Sequence, residues 1–289
     1  QLLSKSSAPI ADDAAAFSSK AYAIGLNGAQ YSEASEALPA FSWADAESAE
    51  LKRTPIHPLH IGLNAKMAPF AGYDMPLWYS TVSEEHAAVR KNAGVFDVTH
   101  MGVFDARGAG AETFLDLVTT NDLRGLAIGD SHYTYFLDVY GVPFDDLMIY
   151  RLAQDHFLVV VNASNNDKNW AWLNAVKNGE VQIDAAHPSR RFTGGETFEL
   201  RDLRSPVNGA DCRLDIALQG PNSKNILLTM TDDAGKGVIN KLQWANVCRV
   251  KLHGADVIIS RTGHTGERIA YALFVHLNDA LELLRDVID

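Results

Sequence analysis

The chain has 289 residues, which is enough for two domains and a sizeable core. Hydrophobic residues make up 47% of it and charged residues 21%, as in ordinary soluble proteins. A formal net charge of −11 argues against a nucleic-acid partner, because phosphate backbones are bound by clustered Lys and Arg, although a local basic funnel for an anionic ligand is compatible with it. No apolar run approaches the length of about 18 residues that predicts a membrane-spanning segment.

The cysteines bear on the compartment of the protein, and the first 51 residues differ in composition from the rest of the chain. Cys212 and Cys248 form no CxxC pair, so the sequence predicts neither a zinc knuckle nor a disulfide framework, and a reducing cytosolic or organellar compartment fits. The chain begins with Gln1 and shows no signal peptide, which suggests a trimmed chain. Residues 1–51 are rich in Ala, Ser, Asp and Glu. They predict an N-terminal extension, either wrapped on the body through patches such as residues 22–25 and 41–43 or partly disordered.

The predicted globular body begins at residues 51–55, where the composition changes. Thr54 can cap a helix with Pro55 at its first position, and apolar residues follow at helical spacing as far as Met67. The next predicted elements are an aromatic loop at 67–79, a helix at 82–92 and a strand at 95–101.

From Val103 the pattern of strands and helices starts again. Its order indicates an α+β module around an antiparallel sheet, and residues 184–211 then predict an insertion or a long loop. A further module runs from Leu214 to a last helix capped by Asn278. The elements predicted for the module that starts at Val103 are a helix at 111–118, strands at 132–137, 147–150 and 157–162, and a helix at 165–176.

Residues 140–151 are where the sequence predicts chemistry. Gly141 and Pro143 indicate a turn, and an apolar strand follows it. Asp145 and Asp146 enter that strand side by side, and a pleated strand sends neighbouring side chains to opposite faces. One of the two carboxylates therefore faces the interior, where its charge has to be matched or used. A turn and a strand whose aspartates cap backbone amides explain the same segment.

Metal and nucleophilic chemistry find little support in the sequence. His57 and His60 can share one face of a helix, but no third ligand follows at a known spacing, so surface or capping histidines are favoured and no metal is predicted. There is no GxSxG motif, and Cys248 lies in an apolar strand, where a thiol is usually inert. Phosphate-binding glycine loops are also missing from a strand–turn–helix context.

What remains is a desolvated carboxylate among aromatic and amide groups on neighbouring strands. Such a set suits a flat heterocycle that bears amide and amine groups, although composition does not say which one. The residues of this predicted set are Asp146, Tyr133, Tyr150 and Asn162.

A series of motifs occurs in order between about residues 52 and 275. They are RTP at 53–55, AKMAPFAGYDMP at 65–76, FDVTHMG at 96–102, FDDLMIYR at 144–151, VVNASN at 160–165, LQGP at 218–221 and SRTGHTGE at 260–267. Together these motifs closely resemble the aminomethyltransferase (T-protein) of the glycine cleavage system.

This resemblance implies an α+β fold of two interleaved antiparallel-sheet modules with flanking helices. Residues 52–104 and 196–289 would form a first, split domain, residues 105–195 an inserted domain and residues 1–51 the extension. The chain stops before the family's GARDxLRLE segment, whose Arg usually contacts the ligand, and before its C-terminal barrel. It is therefore expected to be a fragment or to lack that part.

The resemblance also implies a reaction. Tetrahydrofolate would bind in a central channel, a lipoyl carrier protein (H-protein) would donate the aminomethyl group, and ammonia would leave as methylenetetrahydrofolate forms. The expected location is the cytoplasm, or the mitochondrial matrix of a eukaryote, without a membrane or nucleic-acid partner. Asp146 would be the catalytic carboxylate, which hydrogen-bonds the folate amine and stabilises its developing positive charge. The pterin site would be lined by Met101, Tyr133, Tyr150, Val160 and Asn162.

One motif departs from the family pattern. The family's TGYTGEDGFE is TGHTGERIAY at residues 262–271, so His264 replaces a pterin-contacting Tyr and Tyr271 stands where a pterin-binding Glu is expected. The loss of that buried acceptor would cost about 1.5–3 kcal/mol. Besides a flavin-linked dimethylglycine dehydrogenase half, for which no dinucleotide fingerprint precedes the module, two alternatives stay open. One is a tetrahydrofolate-dependent demethylase of a small methylated compound. The other is a non-catalytic folate-binding factor of the iron–sulfur assembly type, whose KGCYxGQE motif does not occur here.

Overall fold

The computed structural model describes residues 31–45 and 50–288, and two five-stranded antiparallel sheets form its centre. The first sheet consists of β5 (Gly102–Arg107), β6 (Ser131–Leu137), β7 (Pro143–Ala153), β8 (His156–Val161) and β10 (Glu199–Asp202). Its strand order is β10-β5-β8-β7-β6. The central strand β8 is buried along almost its whole length, as expected for a strand covered on both faces.

The second sheet consists of β4 (Gly94–Asp97), β11 (Leu214–Gln219), β12 (Val247–Leu252), β13 (Ala255–Ser260) and β14 (Ala270–Val275). Its strand order is β12-β13-β14-β11-β4. Two small antiparallel pairs accompany the large sheets. They are β2 (Lys66–Phe70) with β3 (Tyr73–Trp78), and β1 (Tyr31–Glu33) with β9 (Arg190–Phe192).

Helices cover the outer faces of both sheets. The helices α3 and α4 pack on the first sheet through a core that includes Phe114 and Leu173, whereas α5, α6 and α7 pack on the second around Leu227, Ile239 and Leu284. A third apolar cluster joins the inner faces, with Val160 from the first sheet and Phe274 from the second. The helices are α1 (His57–Gly62), α2 (Val82–Lys91), α3 (Ala111–Val118), α4 (Asn166–Lys177), α5 (Ser223–Thr229), α6 (Asp233–Lys241) and α7 (Leu277–Ile288).

The caps of two helices show why they start where they do. Thr81 Oγ1 accepts a hydrogen bond from the Glu84 amide at the start of α2, and Asp232 Oδ1 accepts one from the Gly235 amide at the start of α6. Such side-chain acceptors satisfy amides that have no partner within the helix. At α7 the cap differs from the one predicted, because His276 Nδ1 accepts from the Asn278 amide. Among the helices of the described ranges, none has the length and apolar character needed to cross a bilayer.

Two stretches predicted as irregular contain strands. Residues 67–79 form the hairpin of β2 and β3, because Ala71 and Gly72 both take positive φ, at 49° and 79°, which suits a two-residue hairpin turn. Met67 therefore lies in β2 and α1 ends at Gly62. Residues 184–211, predicted as an insertion or loop, contain β9 and β10.

The described part of the N-terminal extension lies on the first sheet's side of the molecule. The strand β1 pairs with β9, the Leu38 amide donates to Pro188 O at 2.8 Å, and Phe41 packs against the core under that sheet. The patch at 22–25 lies outside the described residues.

The strand pairings bear on the division into domains at residues 104/105 and 195/196. The strand β4 pairs with β11, and β5 pairs with β8, so the chain changes sheets between Asp97 and Gly102. The strand β10 lies beyond residue 195 yet joins β5 in the first sheet. The division into a split domain and an inserted domain remains a prediction.

The glycine after β11 yields a test of the fold. Gly220 has φ of +127°, and a Cβ there would lie 2.5 Å from Val89 O and 2.6 Å from Asn92 O. Gly220→Ala is therefore expected to lower the free energy of unfolding by about 3 kcal/mol, because backbone strain and steric overlap add. Gly141→Ala is the matched control, since its φ is +82° but nothing lies within 4 Å of the added Cβ. It should lose only about 1–2 kcal/mol in urea unfolding, and equal losses would contradict this account.

Candidate functional site

A cavity of about 1060 Å³ lies between the inner faces of the two sheets. Strands β6, β7 and β8 supply one wall, and β4, β11 and β14 supply the other. This size and an aromatic lining are typical of sites for small organic ligands. The wall from β6 and β7 includes Tyr133, Tyr135, Met148 and Tyr150.

The opposite wall is built from alternate residues of β11. Asp215, Ala217 and Gln219 all face the cavity, as a pleated strand requires. Ala217 is flanked in register by Ala272 of β14 and Phe96 of β4, which also line the cavity. The short side chains of Ala217 and Ala272 leave free space at the centre of this wall.

Asp145 is the buried member of the aspartate pair on β7. Its side chain is buried, and three asparagine amide groups donate to its carboxylate. Asn162 donates to Oδ1 at 2.9 Å, Asn165 to Oδ1 at 2.7 Å and Asn169 to Oδ2 at 2.5 Å. These donors satisfy the hydrogen-bonding capacity of a buried carboxyl group within the protein. Asp145 therefore has its hydrogen-bond partners within the fold.

Asp146 is the exposed member of the pair and opens to the cavity. Tyr133 Oη donates to its Oδ2 at 2.9 Å, and Asn162 Nδ2 donates to its Oδ1 at 3.1 Å. The hydrogen bonds of the Tyr133 hydroxyl to Tyr135 and to Asp146 raise the pKa of Tyr133. The prediction that Asp146 is a desolvated carboxylate is therefore wrong, since Asp145 takes the buried face and Asp146 the open one.

The structure brings most of the predicted site residues together. Seven of the eight line the cavity, namely Asp146, Met101, Tyr133, Tyr150, Val160, Asn162 and His264. His264 is exposed in the loop after β13, and Gln219 Oε1 holds this loop by accepting from the Thr265 amide at 3.1 Å and hydroxyl at 2.6 Å.

Tyr271 is the residue that the structure does not bring to the cavity. It is only 1% exposed and belongs to the core behind the second sheet. Because neighbouring residues of β14 face opposite sides, Ala272 faces the cavity instead. The expectation that Tyr271 stands at the ligand is corrected on this ground.

Tyr150 lies at the junction of the two walls. Its ring is buried, and its hydroxyl lies 3.4 Å from Thr262 Oγ1, which in turn donates to Ser260 Oγ at 3.1 Å. Burial raises the pKa of Tyr150, and the carboxyl of Asp215 adds to the rise. Tyr150 therefore presents a neutral hydroxyl within this cluster.

Asp215 is a cavity residue that the sequence reasoning missed. It is 6% exposed, and its Oδ1 has no hydrogen-bond partner among the described residues. Burial raises the pKa of Asp215 to about 8, and the nearby Asp97 carboxylate acts in the same direction. A single acid in the otherwise apolar strand sequence LDIAL was the signal that could have revealed it.

His57 and His60, predicted to be surface or capping histidines, are buried. His57 Nε2 lies 2.9 Å from Asp74 Oδ2, and His60 Nε2 lies 2.8 Å from Asp97 Oδ2. Burial works to raise the pKa of Asp97, but the hydrogen bonds with His60 and Thr99 outweigh it and lower that pKa. These pairs fasten α1 to β3 and β4, and no cluster of possible metal ligands occurs in the described part of the chain.

Comparisons with known proteins support the fold and the family. The profile of the GCVT N-terminal domain matches residues 56–289. Aminomethyltransferase from Symbiobacterium thermophilum is 38% identical over 235 residues, which cover 81% of this chain and 56% of that protein. Aminomethyltransferase from Thermotoga petrophila is 34% identical over 231 residues, which cover 80% and 56%.

A solved structure agrees with these relatives. The crystal structure of the glycine cleavage system aminomethyltransferase T from Bartonella henselae is similar with a TM-score of 0.66 and 28% identity, over 83% of this chain and 57% of that one. The chain therefore spans just over half the length of the relatives that it matches.

The two facing antiparallel sheets and their flanking helices form the α+β fold that the motifs predicted. With the profile match, they show that the chain belongs to the glycine cleavage T-protein (GCVT) family. The predicted family and fold class are confirmed.

Because Asp145 is buried and Asp146 is exposed, substitutions of the two aspartates should have unequal effects on stability. Asp145→Asn replaces a charge that three amide groups surround, so it should lower the free energy of unfolding by about 2–4 kcal/mol. Asp146→Asn should cost less than about 1 kcal/mol, because Asp146 is exposed. Urea unfolding of both variants checks this, and a larger loss for Asp146→Asn would refute the assignment.

The burial of Asp215 predicts that the difference in stability between the natural protein and Asp215→Asn depends on pH. Its pKa is about 8 in the folded chain against 3.8 ordinarily, so the folded state favours the protonated form. The stability that this form contributes is complete below about pH 4 and is lost as the pH rises to about 8. Asp215→Asn lacks this loss, so its stability relative to the natural protein should increase over that window and level off above it. Thermal unfolding at several pH values measures the difference, and a constant difference would contradict the burial of an unpartnered acid.

Proposed function

We propose that the protein carrying this chain is an aminomethyltransferase. It transfers the one-carbon unit from an aminomethyl-lipoyl carrier protein to tetrahydrofolate and releases ammonia, with the freed dihydrolipoyl thiol as the other product. The observation that carries the proposal is the exposed Asp146 carboxylate, which Tyr133 and Asn162 fix inside a cavity between two sheets. The family of the chain and the names of its relatives support the same reaction.

The chemistry of the cavity fits a folate head group. The space of about 1060 Å³ is at the upper end of small-molecule sites, and Tyr133, Tyr135 and Phe96 offer flat aromatic surface. Hydroxyl and carboxyl groups are interspersed with this surface, as amide and amine groups on a heterocycle require. Tetrahydrofolate supplies the amine that attacks the one-carbon unit.

Asp146 has an orienting and electrostatic role in this proposal. The hydrogen bonds from Tyr133 and Asn162 use one side of each carboxylate oxygen and hold the group in one position. The remaining lone pairs can accept an N–H from the attacking amine. A fixed negative charge there stabilises the positive charge that develops on that amine, without reorganisation during the reaction. Asn162 also contacts Asp145, so the buried and open carboxylates are positioned together.

The proposal includes a donor and a location. A lipoyl carrier protein (H-protein) would deliver its arm at the open side of the cavity, where His264 is exposed. The reaction would take place in the cytoplasm, or in the mitochondrial matrix of a eukaryote.

The test is the substitution Asp146→Asn in the full-length protein. It preserves size and one acceptor but removes the charge, so kcat for methylenetetrahydrofolate formation should fall at least about 100-fold, equal to about 2.7 kcal/mol. The dissociation constant for tetrahydrofolate, from calorimetry, should stay within about threefold. Asp155→Asn, in the β7–β8 turn outside the cavity, is the control and should keep full activity.

Three outcomes would contradict the proposal. Absence of binding at millimolar tetrahydrofolate would refute any folate-dependent role. Folate-dependent turnover of a methylated amine, but not of the aminomethyl carrier, would identify a demethylase. Binding without either turnover would indicate a folate-binding factor.

A further inference from the structure

Three carboxyl groups line the cavity, and their surroundings differ. Asp145 accepts from three asparagine amides, and Asp146 accepts from a tyrosine hydroxyl and an asparagine amide. Asp215 has an oxygen without any hydrogen-bond partner in the described ranges. The fold therefore satisfies two of these acids and leaves the third for another donor.

The position of Asp215 explains why the protein supplies no donor. It lies on the inner face of β11, opposite Phe274 of β14 in register, with Ala217 two residues further along the same face. The carboxylate of Asp97 acts on it with the same sign of charge, and the Tyr150 hydroxyl has a raised pKa beside it. No cationic side chain is among the groups that shift the pKa of Asp215. The unpaired oxygen of Asp215, a residue of the cavity wall, is thus free to accept a hydrogen bond from a ligand.

The energetic cost of an unpaired buried oxygen also favours a ligand at Asp215. A buried polar atom without a partner costs about 1–3 kcal/mol, and native proteins contain few of them. The cost is tolerated most often where the group serves a site. An apolar residue would suit the neighbours of Asp215 better, because Phe274, its partner in register on β14, and Ala217 on the same face are both buried.

The space beside Asp215 admits a flat ring. Ala217 and Ala272 have the smallest side chains that β11 and β14 contribute to this wall, and they lie side by side in register. A ring lying over these alanines can present its edge to the carboxyl of Asp215. In its ionised form, the carboxylate of Asp215 offers two oxygens that match two parallel N–H donors, as in bidentate pairs.

We propose that Asp215 is a specificity-determining residue that binds the edge of the ligand bearing two adjacent N–H donors, as in a 2-aminopyrimidinone ring. Asp215 thereby determines which heterocycles the cavity accepts, whereas Asp146 acts at the reacting amine. This assignment rests on the proposed folate-dependent function and identifies Asp215 as the residue that distinguishes between heterocycles.

The experiment compares tetrahydrofolate with 2-desamino-tetrahydrofolate, which lacks one of the two adjacent donors. Binding of each to the full-length protein is measured by anaerobic calorimetry. The natural protein should bind tetrahydrofolate about 10- to 100-fold more tightly than the desamino compound. Asp215→Asn replaces one acceptor oxygen with an amide donor, so its preference should fall to within about threefold. The variant should fold, because it removes a buried acid that has no protein partner.

Asp145→Asn is the matched control, since Asp145 is also a buried carboxyl of the cavity wall but has its partners in the protein. Its preference for tetrahydrofolate should remain at the natural value, even if both affinities fall. Asp215→Asn that keeps the full preference would overturn the assignment, as would a natural protein that binds tetrahydrofolate without discriminating between the two compounds. Failure of the natural protein to bind either compound would instead overturn the proposed function, and the assignment with it.

Discussion

The hydrogen bonds around Asp145 are the constraint on which the site depends. They join β7 to the end of β8 and to the first turns of α4, because the three donors are Asn162, Asn165 and Asn169. A buried carboxylate is costly unless such donors surround it. Once they do, the strand cannot shift by one residue without taking Asp145 away from its three donors. The register of β7, and hence the position of Asp146, is fixed in this way.

The cavity follows from the same alternation on both sheets. On β7 and β11, alternate residues face inward, and they include Asp146, Met148 and Tyr150 on one wall and Asp215, Ala217 and Gln219 on the other. The apolar cluster around Val160 and Phe274 keeps the two inner faces in contact. A cavity persists beside this contact because Ala217 and Ala272 do not fill it.

The sequence predicted much of this arrangement, and its errors have physical causes. The pleat predicted that Asp145 and Asp146 face different sides, but the choice of the buried one depended on asparagines far along the chain. The match to the family motif predicted that Tyr271 contacts the ligand. Side chains alternate between the two faces of β14, and Tyr271 lies on the face that packs into the core. The isolated acid at Asp215 could have been noticed, but its lack of a partner is a three-dimensional property.

The pairing of β4 with β11 has a consequence for how the protein folds. These strands are separated by more than 100 residues, and the whole first sheet lies in the loop that their pairing closes. Contacts between such distant segments form slowly, because the chain loses much entropy before the contact compensates for it. Phe96 on β4 is part of the cavity wall. Formation of the cavity during refolding should therefore lag behind the appearance of secondary structure and coincide with the pairing of β4 and β11.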